Sequence, residues 1–225
     1  MIGKVINVKK LVSPLLVIFN FILVNIIIIS VSANLVLNFN FIYKRDIKTL
    51  KLNQQTSLTE EQIYNNYKAV VDYIGDKNIK ELKFPDLPMS SEGKIHFEDV
   101  KALFQKLRMA ILPALLIYVS LFFAYKKREK WTFFRDSALS LLIFPPLLAA
   151  AFAINFDYCF TLFHKLAFTN DYWLFDPVKD PIINLLPQEF FMHCALLILA
   201  VIILCAILLL IIQRIYYKKL NLNRN

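Results

Sequence analysis

The sequence predicts a mainly α-helical integral membrane protein, with four transmembrane helices and a small α/β cap on the extracellular side. Three observations predict this. Of the 225 residues, 58% are hydrophobic and only three are glycine. The apolar residues lie in long continuous runs, and a run of about 18 or more reads as a span because about 20 helical residues cross the hydrocarbon core. Lysine and arginine gather in short segments at one end of those runs, the bias that sets the orientation of multi-pass chains.

Residues 1–37 are read as a cytoplasmic N-terminus, bearing Lys4, Lys9 and Lys10, and the first transmembrane helix. Val31-Ser32-Ala33 resembles a signal-peptidase site, but the apolar run is too long for a signal sequence and continues past it, so a retained span is expected. Residues 38–108 form the extracellular cap. In it, Phe39-Asn40-Phe41-Ile42-Tyr43 alternates apolar and polar residues and predicts a strand. Thr59-Glu60-Glu61-Gln62 has capping-box spacing and predicts a helix to about Tyr73, stopped by Gly75. Glu81-Leu82-Lys83-Phe84 predicts a second strand, ended by Pro85 and Pro88. From about Phe97 the recurrence of Val100, Leu103, Phe104 and Leu107 is helical and leads into the second span. Glu98 and Asp99 would then occupy its first turn, where negative charge favours the free amides.

Residues 109–155 hold transmembrane helices two and three, joined by a basic cytoplasmic loop, 126–135, with five basic residues against one acid. Residues 156–190 form an extracellular aromatic-rich loop in which Pro177, Pro181 and Pro187 preclude a long helix in the second half. Residues 191–225 supply helix four and a cytoplasmic tail with Arg214, Lys218, Lys219 and Arg224. The two outward segments are balanced or acidic, with eleven basic and ten acidic residues in 38–107 and two basic and five acidic in 156–190. The net charge of +9 therefore belongs at the membrane surface, and no nucleic-acid partner is expected.

Several function classes are excluded. Three glycines leave no phosphate-cradling loop or dinucleotide fingerprint, and G-x-S-x-G and H-E-x-x-H are both missing. Cys159, Cys194 and Cys205 make neither a disulfide framework nor a zinc site. The spans carry no ionisable side chain in their middles, which argues against a proton-coupled transporter or voltage sensor.

The candidates for chemistry lie in the outward segments. The three histidines, His96, His164 and His193, all fall on that side, and histidine exchanges protons near neutrality. Interfacial comfort accounts for any one of them alone. Asp99, three residues from His96, could orient that imidazole or raise its basicity. Residues 156–191 hold ten aromatics among acids and amides. An interfacial belt accounts for several of these, but a cavity with aromatic walls would suit a lipid with a polar head.

His96-Phe97-Glu98-Asp99-Val100, taken with Phe163-His164-Lys165-Leu166-Ala167-Phe168-Thr169-Asn170-Asp171, Trp173-Leu174-Phe175-Asp176-Pro177 and Asp180-Pro181, resembles the bacterial lipoprotein intramolecular transacylases. The resemblance covers essentially the whole chain. It implies a four-helix bundle with an extracellular cap, an active site at the cap–membrane boundary, and two catalytic histidines, here His96 and His164. The implied substrate is a lipoprotein whose N-terminal cysteine carries a diacylglyceryl thioether. The implied reaction moves the sn-2 acyl chain to that cysteine's amine, giving a lyso-form lipoprotein. It implies no cofactor and no metal. Asp99 and Asp171 become supporting or orienting residues; Phe97, Phe163, Asn170, Trp173 and Asp176 become the substrate pocket. His193 is a reserve. Membrane lipid is the other expected partner, and oligomeric state is left open. Two alternatives stand beside this reading: a non-enzymatic membrane partner with a binding cap, and another histidine-dependent lipid acyltransferase or hydrolase.

Overall fold

The computed structural model describes residues 8–127 and 132–222. Lys4, Arg224 and residues 128–131 of the basic loop lie outside them. Seven α-helices are described: α1 Val8–Leu37, α2 Phe41–Thr49, α3 Glu60–Gly75, α4 Ser91–Lys127, α5 Phe133–Ile154, α6 Phe156–Ala167 and α7 Gln188–Leu222. Short 3₁₀ turns occupy Leu52–Gln54 and Pro181–Leu185. Helices α1, α4, α5 and α7 are long and apolar enough to cross a membrane, as the runs predict. Helix α4 is longer than its run requires. Its 37 residues span about 55 Å, against about 30 Å of hydrocarbon. The first half, through Arg108, carries seven charged residues, and the apolar stretch begins at Met109.

The chain divides into two compact units. One contains Met109–Leu148 and the parts of α1 and α7 before Ser32 and after Ile198. Its apolar centre is Leu23, Ile27, Ala114, Leu121, Tyr125 and Phe133. A polar seam runs beside that centre. The Tyr118 hydroxyl donates to Ser137 Oγ at 2.7 Å, and Ser137 Oγ donates to Asn20 Oδ1 at 2.7 Å. Asn20 Nδ2 donates to the Phe133 carbonyl at 3.1 Å. Asn25 Nδ2 donates to Ser140 Oγ and to the Phe21 carbonyl. Between apolar helices such bonds fix which faces meet, since lipid is as apolar as leucine and supplies no hydrophobic drive to association.

The other unit, Ser32–Arg108 with Ala149–Ile198, is helical with its own core; it contains the segment expected from the sequence to form the cap and is here called the cap. Tyr43 and Tyr67 stack at 3.7 Å between ring centroids, and Phe190 meets both edge-on. The fully buried Tyr43 hydroxyl donates to the Leu185 carbonyl at 2.7 Å, fastening α2 to the second 3₁₀ turn. Helix α3 opens on the capping box the sequence predicts: Thr59 Oγ1 accepts from the Gln62 amide, and Gln62 Oε1 accepts from the Thr59 amide. At its other end, Arg108 donates to the carbonyls of Ile74 and Gly75, and Lys101 to those of the C-cap Asp76 and of Ile79 beyond it. The carbonyls of Ile74, Gly75 and Asp76 are among those a helix terminus leaves without intrahelical partners.

The α/β cap is corrected: no strand occurs among the described residues. The segment 39–43 leads into α2, whose buried residues Tyr43, Asp46 and Ile47 recur at three and four. Five residues of alternation were too few to separate a period of 2 from one of 3.6. Residues 81–84 form no regular element, with Leu82 buried and Phe84 packed on the core, and no strand lies beside them among the described residues. Helix α4 also begins at Ser91 rather than near Phe97, so its first-turn acid is Glu92, and Glu98 and Asp99 lie more than one turn further in.

Candidate active site

Two helices and one loop build the site, all within the cap unit. Helix α4 presents His96 and Phe97 from its second turn. Helix α6 presents Phe160, Phe163 and His164. It starts where Asn155 Oδ1 accepts the Tyr158 amide, and it gives way to extended backbone at Phe168. The loop beyond supplies Phe168, Trp173 and Phe175.

The two imidazoles face each other at 6.0 Å between ring centroids, inclined by 35°. Each is walled by aromatics. His96 has Phe168 at 5.1 Å and Phe175 at 5.2 Å, both edge-on, with Phe97 at 5.8 Å. His164 has Phe160 at 4.1 Å, Trp173 at 4.8 Å, Phe163 at 5.3 Å and Phe168 at 5.6 Å. His96 is only 7% exposed and His164 only 8%.

Burial sets their charge. It pushes the pKa of His96 down to about 4, helped by the neighbouring His164 and opposed by the Asp99 carboxylate. Burial also pushes His164 down, opposed by its bond to the Phe160 carbonyl. Both rings are therefore neutral near pH 7, the form that accepts a proton. The bond to Phe160 selects the tautomer of His164. Its Nδ1 lies 2.7 Å from a carbonyl, which only accepts, so Nδ1 carries the proton and Nε2 keeps its lone pair. By contrast, the buried Nδ1 of His96 has no partner, nor does the buried indole Nε1 of Trp173. Buried polar atoms without partners cost about 1–3 kcal/mol each, and functional sites are where folds retain such costs.

The profile of the lipoprotein intramolecular transacylase Lit matches residues 18–191. The chain belongs to the lipoprotein intramolecular transacylase family. The membrane integral transacylase of Bacillus cereus is 33% identical, with a TM-score of 0.84 over 95% of this chain and 99% of that one. Structures of two of its variants, each with one histidine replaced, by arginine or by alanine, give TM-scores of 0.83 and 0.82. The first is 32% identical and covers 96% of both chains; the second is 33% identical and covers 95% of this chain and 97% of that one. Among curated proteins no sequence matches. As a member of this family the protein is an acyltransferase of lipoprotein modification.

Of the residues singled out from the transacylase resemblance, the structure gathers His96, His164, Phe97, Phe163 and Trp173. Asn170 is nearby and half-buried, and its Nδ2 donates to Asp99 Oδ2 at 2.9 Å. Asp99 thus ties the loop to α4 and has no hydrogen bond to His96, acting on that ring through space. Asp171 and Asp176 are exposed. Asp171 offers its carbonyl to the Leu174 amide, and Asp176 Oδ1 accepts the Val178 amide. The reserve, His193, is engaged elsewhere: Nδ1 lies 2.9 Å from both oxygens of the fully buried Asp46. Sequence reasoning did not assign Phe160, Phe168 or Phe175 to the site. The signal for Phe160 was its spacing, four residues before His164 on one helix face.

Proposed function

We propose that this transacylase moves the sn-2 acyl chain of a diacylglyceryl-cysteine lipoprotein to the amine of that cysteine, with His96 and His164 as the proton-handling residues. The observation that carries this is the pair of neutral, buried imidazoles 6.0 Å apart inside one aromatic wall. Donor ester and acceptor amine belong to one molecule. The amine nitrogen attacks the ester carbonyl carbon, the bond from that carbon to the glyceryl oxygen breaks, and one proton passes from nitrogen to the departing oxygen. Atoms balance with no further reactant.

His164 is the base. Its Nδ1–H is held by the Phe160 carbonyl, so Nε2 is free to take the amine's proton. His96 works best as the complementary donor, with its proton on Nε2 and its lone pair on the partnerless Nδ1. In that tautomer it donates to the oxygen that becomes negative when the amine adds. The aromatic wall excludes water, favouring transfer to the amine over hydrolysis, and holds the two ends of the substrate together. Trp173, Phe97 and Phe163 line the substrate's place, and Asn170 with Asp99 holds the loop closed over it. In this reading residues 38–108 and 156–190 face outward and both termini face the cytoplasm, following the lysine and arginine bias.

The test expresses the protein in a bacterial host that makes diacylated lipoproteins and takes mass spectra of an N-terminal lipopeptide. Conversion to an N-acyl, S-monoacylglyceryl cysteine is the expected product. An unchanged diacylglyceryl cysteine with a free amine, despite well-expressed protein, overturns the proposal, and loss of one acyl chain to water identifies a hydrolase.

A further inference from the structure

We propose that Asp180 is a positioning residue for His96: its carboxylate clamps the first turn of α4 to the loop that walls the site, and position 93 is glycine because the clamp leaves no room for a side chain. The proposal rests on the reading of His96 as a reacting group.

Asp180 is only 3% exposed, and its side-chain hydrogen bonds go to Ser90 and not to either imidazole. Its Oδ1 accepts the Ser90 amide at 2.8 Å and its Oδ2 accepts the Ser90 hydroxyl at 2.6 Å. Ser90 Oγ in turn accepts the Gly93 amide at 2.9 Å. Ser90 thus caps the N-terminus of a 37-residue helix by accepting an amide that the helix cannot satisfy itself, and the Asp180 carboxylate, from another part of the chain, holds Ser90 in place. Gly93 is buried beneath it. A Cβ there would collide with Asp180 Oδ1 and come within 2.8 Å of Cγ. Gly93 is one of three glycines in the chain, and its φ is negative, so close approach rather than backbone conformation calls for it. His96 follows Gly93 by three residues, one turn along the same helix face. Asp180 closes the loop that begins at Phe168 and includes Trp173 and Phe175. The clamp therefore joins the helix bearing His96 to the loop that follows the helix bearing His164, and so sets the gap between the rings.

The test is a double-mutant cycle in the full-length protein, using a synthetic diacylglyceryl-cysteine peptide. In Gly93→Ala, kcat should fall about 10²-fold, the scale of an ångström-sized misplacement, with KM within about 3-fold of wild type. In an Asp180→Ala background the same change has no carboxylate to strike and should cost less than about 3-fold. The titration midpoint of His96, followed by NMR, should rise in Gly93→Ala as the ring loosens from its wall. An equal loss in both backgrounds overturns the proposal, as does a wild-type kcat in Gly93→Ala. Should Gly93→Ala fail to fold, Ser90→Ala decides: a fall in kcat of about 10-fold with a raised His96 midpoint supports the clamp, and wild-type values of both overturn it. If the wild-type protein does not convert the peptide, the proposed function fails, and the His96 midpoints across the cycle still judge the clamp.

Discussion

In the apolar unit Asn20 is fully buried and both ends of its amide are matched, one by Ser137 and one by the Phe133 carbonyl. In the cap His96 is nearly as buried, and its Nδ1 has no partner. The seam is not closed everywhere, since Asn25 Oδ1 and the Tyr125 hydroxyl also lack partners. But Asn25 still uses its donor twice, whereas the site leaves bare a nitrogen of a titratable ring and an indole N–H within one aromatic wall. Matched polar atoms hold helices in register, because each is worth more bonded than bare. Unmatched ones beside two neutral imidazoles are an unfinished network, and a substrate with an amine and an ester can complete it.

The contrast breaks first at the histidines. Replacing His96 or His164 by Ala should lower conversion by about 10²–10⁴, measured as the lyso-form fraction in single-turnover mass spectrometry. If the rings act as a unit, the double variant loses little more than the worse single one. A double loss equal to the product of the singles would mean that the two act independently. Asp46→Asn, at the His193 pair, should leave the chemical step largely intact, because that pair stands outside the wall.

A smaller effect concerns pH. The native pKa of His96 is about 4, against an ordinary value near 6.5. Between those values the unfolded chain binds a proton that the native state refuses, so stability falls as pH drops from about 6.5 toward 4 and is flat above. His164 shifts the same way. Histidine-selective ¹⁵N NMR should show both rings neutral at pH 7, with His96 titrating near pH 4. A midpoint at or above 6.5 for His96 would put its charge, and the assigned tautomer, in error.

Much of this architecture was legible in the residues because lipid imposes simple rules. Four long apolar runs became four long helices, and the Thr59–Gln62 spacing became a capping box. The cap's strands were misread because short alternating stretches carry no period of their own; contacts with α3 and the second 3₁₀ turn decided that residues 41–49 coil. The histidines stood out by scarcity and by the motifs around them. Phe168 and Phe175 lay in the same motifs without a role, because among ten aromatics nothing local says which ones turn toward an imidazole. Asp180 lay in the Asp180-Pro181 motif, but nothing local gave it a role. Its role needs Ser90 and Gly93, about ninety residues away, and such pairing is invisible to any local pattern.

The smallest expected effect lies in the seam, and it is the sharpest control. Asn20→Leu removes the amide that joins Ser137 to the Phe133 carbonyl while keeping similar bulk. Hydrogen bonds between membrane helices average about 0.6 kcal/mol and reach about 1.7. The variant should therefore lose of order 1 kcal/mol of stability, read as a lowered midpoint of thermal unfolding in lipid nanodiscs. Its kcat, per folded molecule, should stay within about 2-fold of wild type, since the seam contributes register and no reacting atom. A large fall in kcat with unchanged stability would erase the distinction between the units, because polar atoms matched to one another would then be serving the reaction as directly as the bare ones.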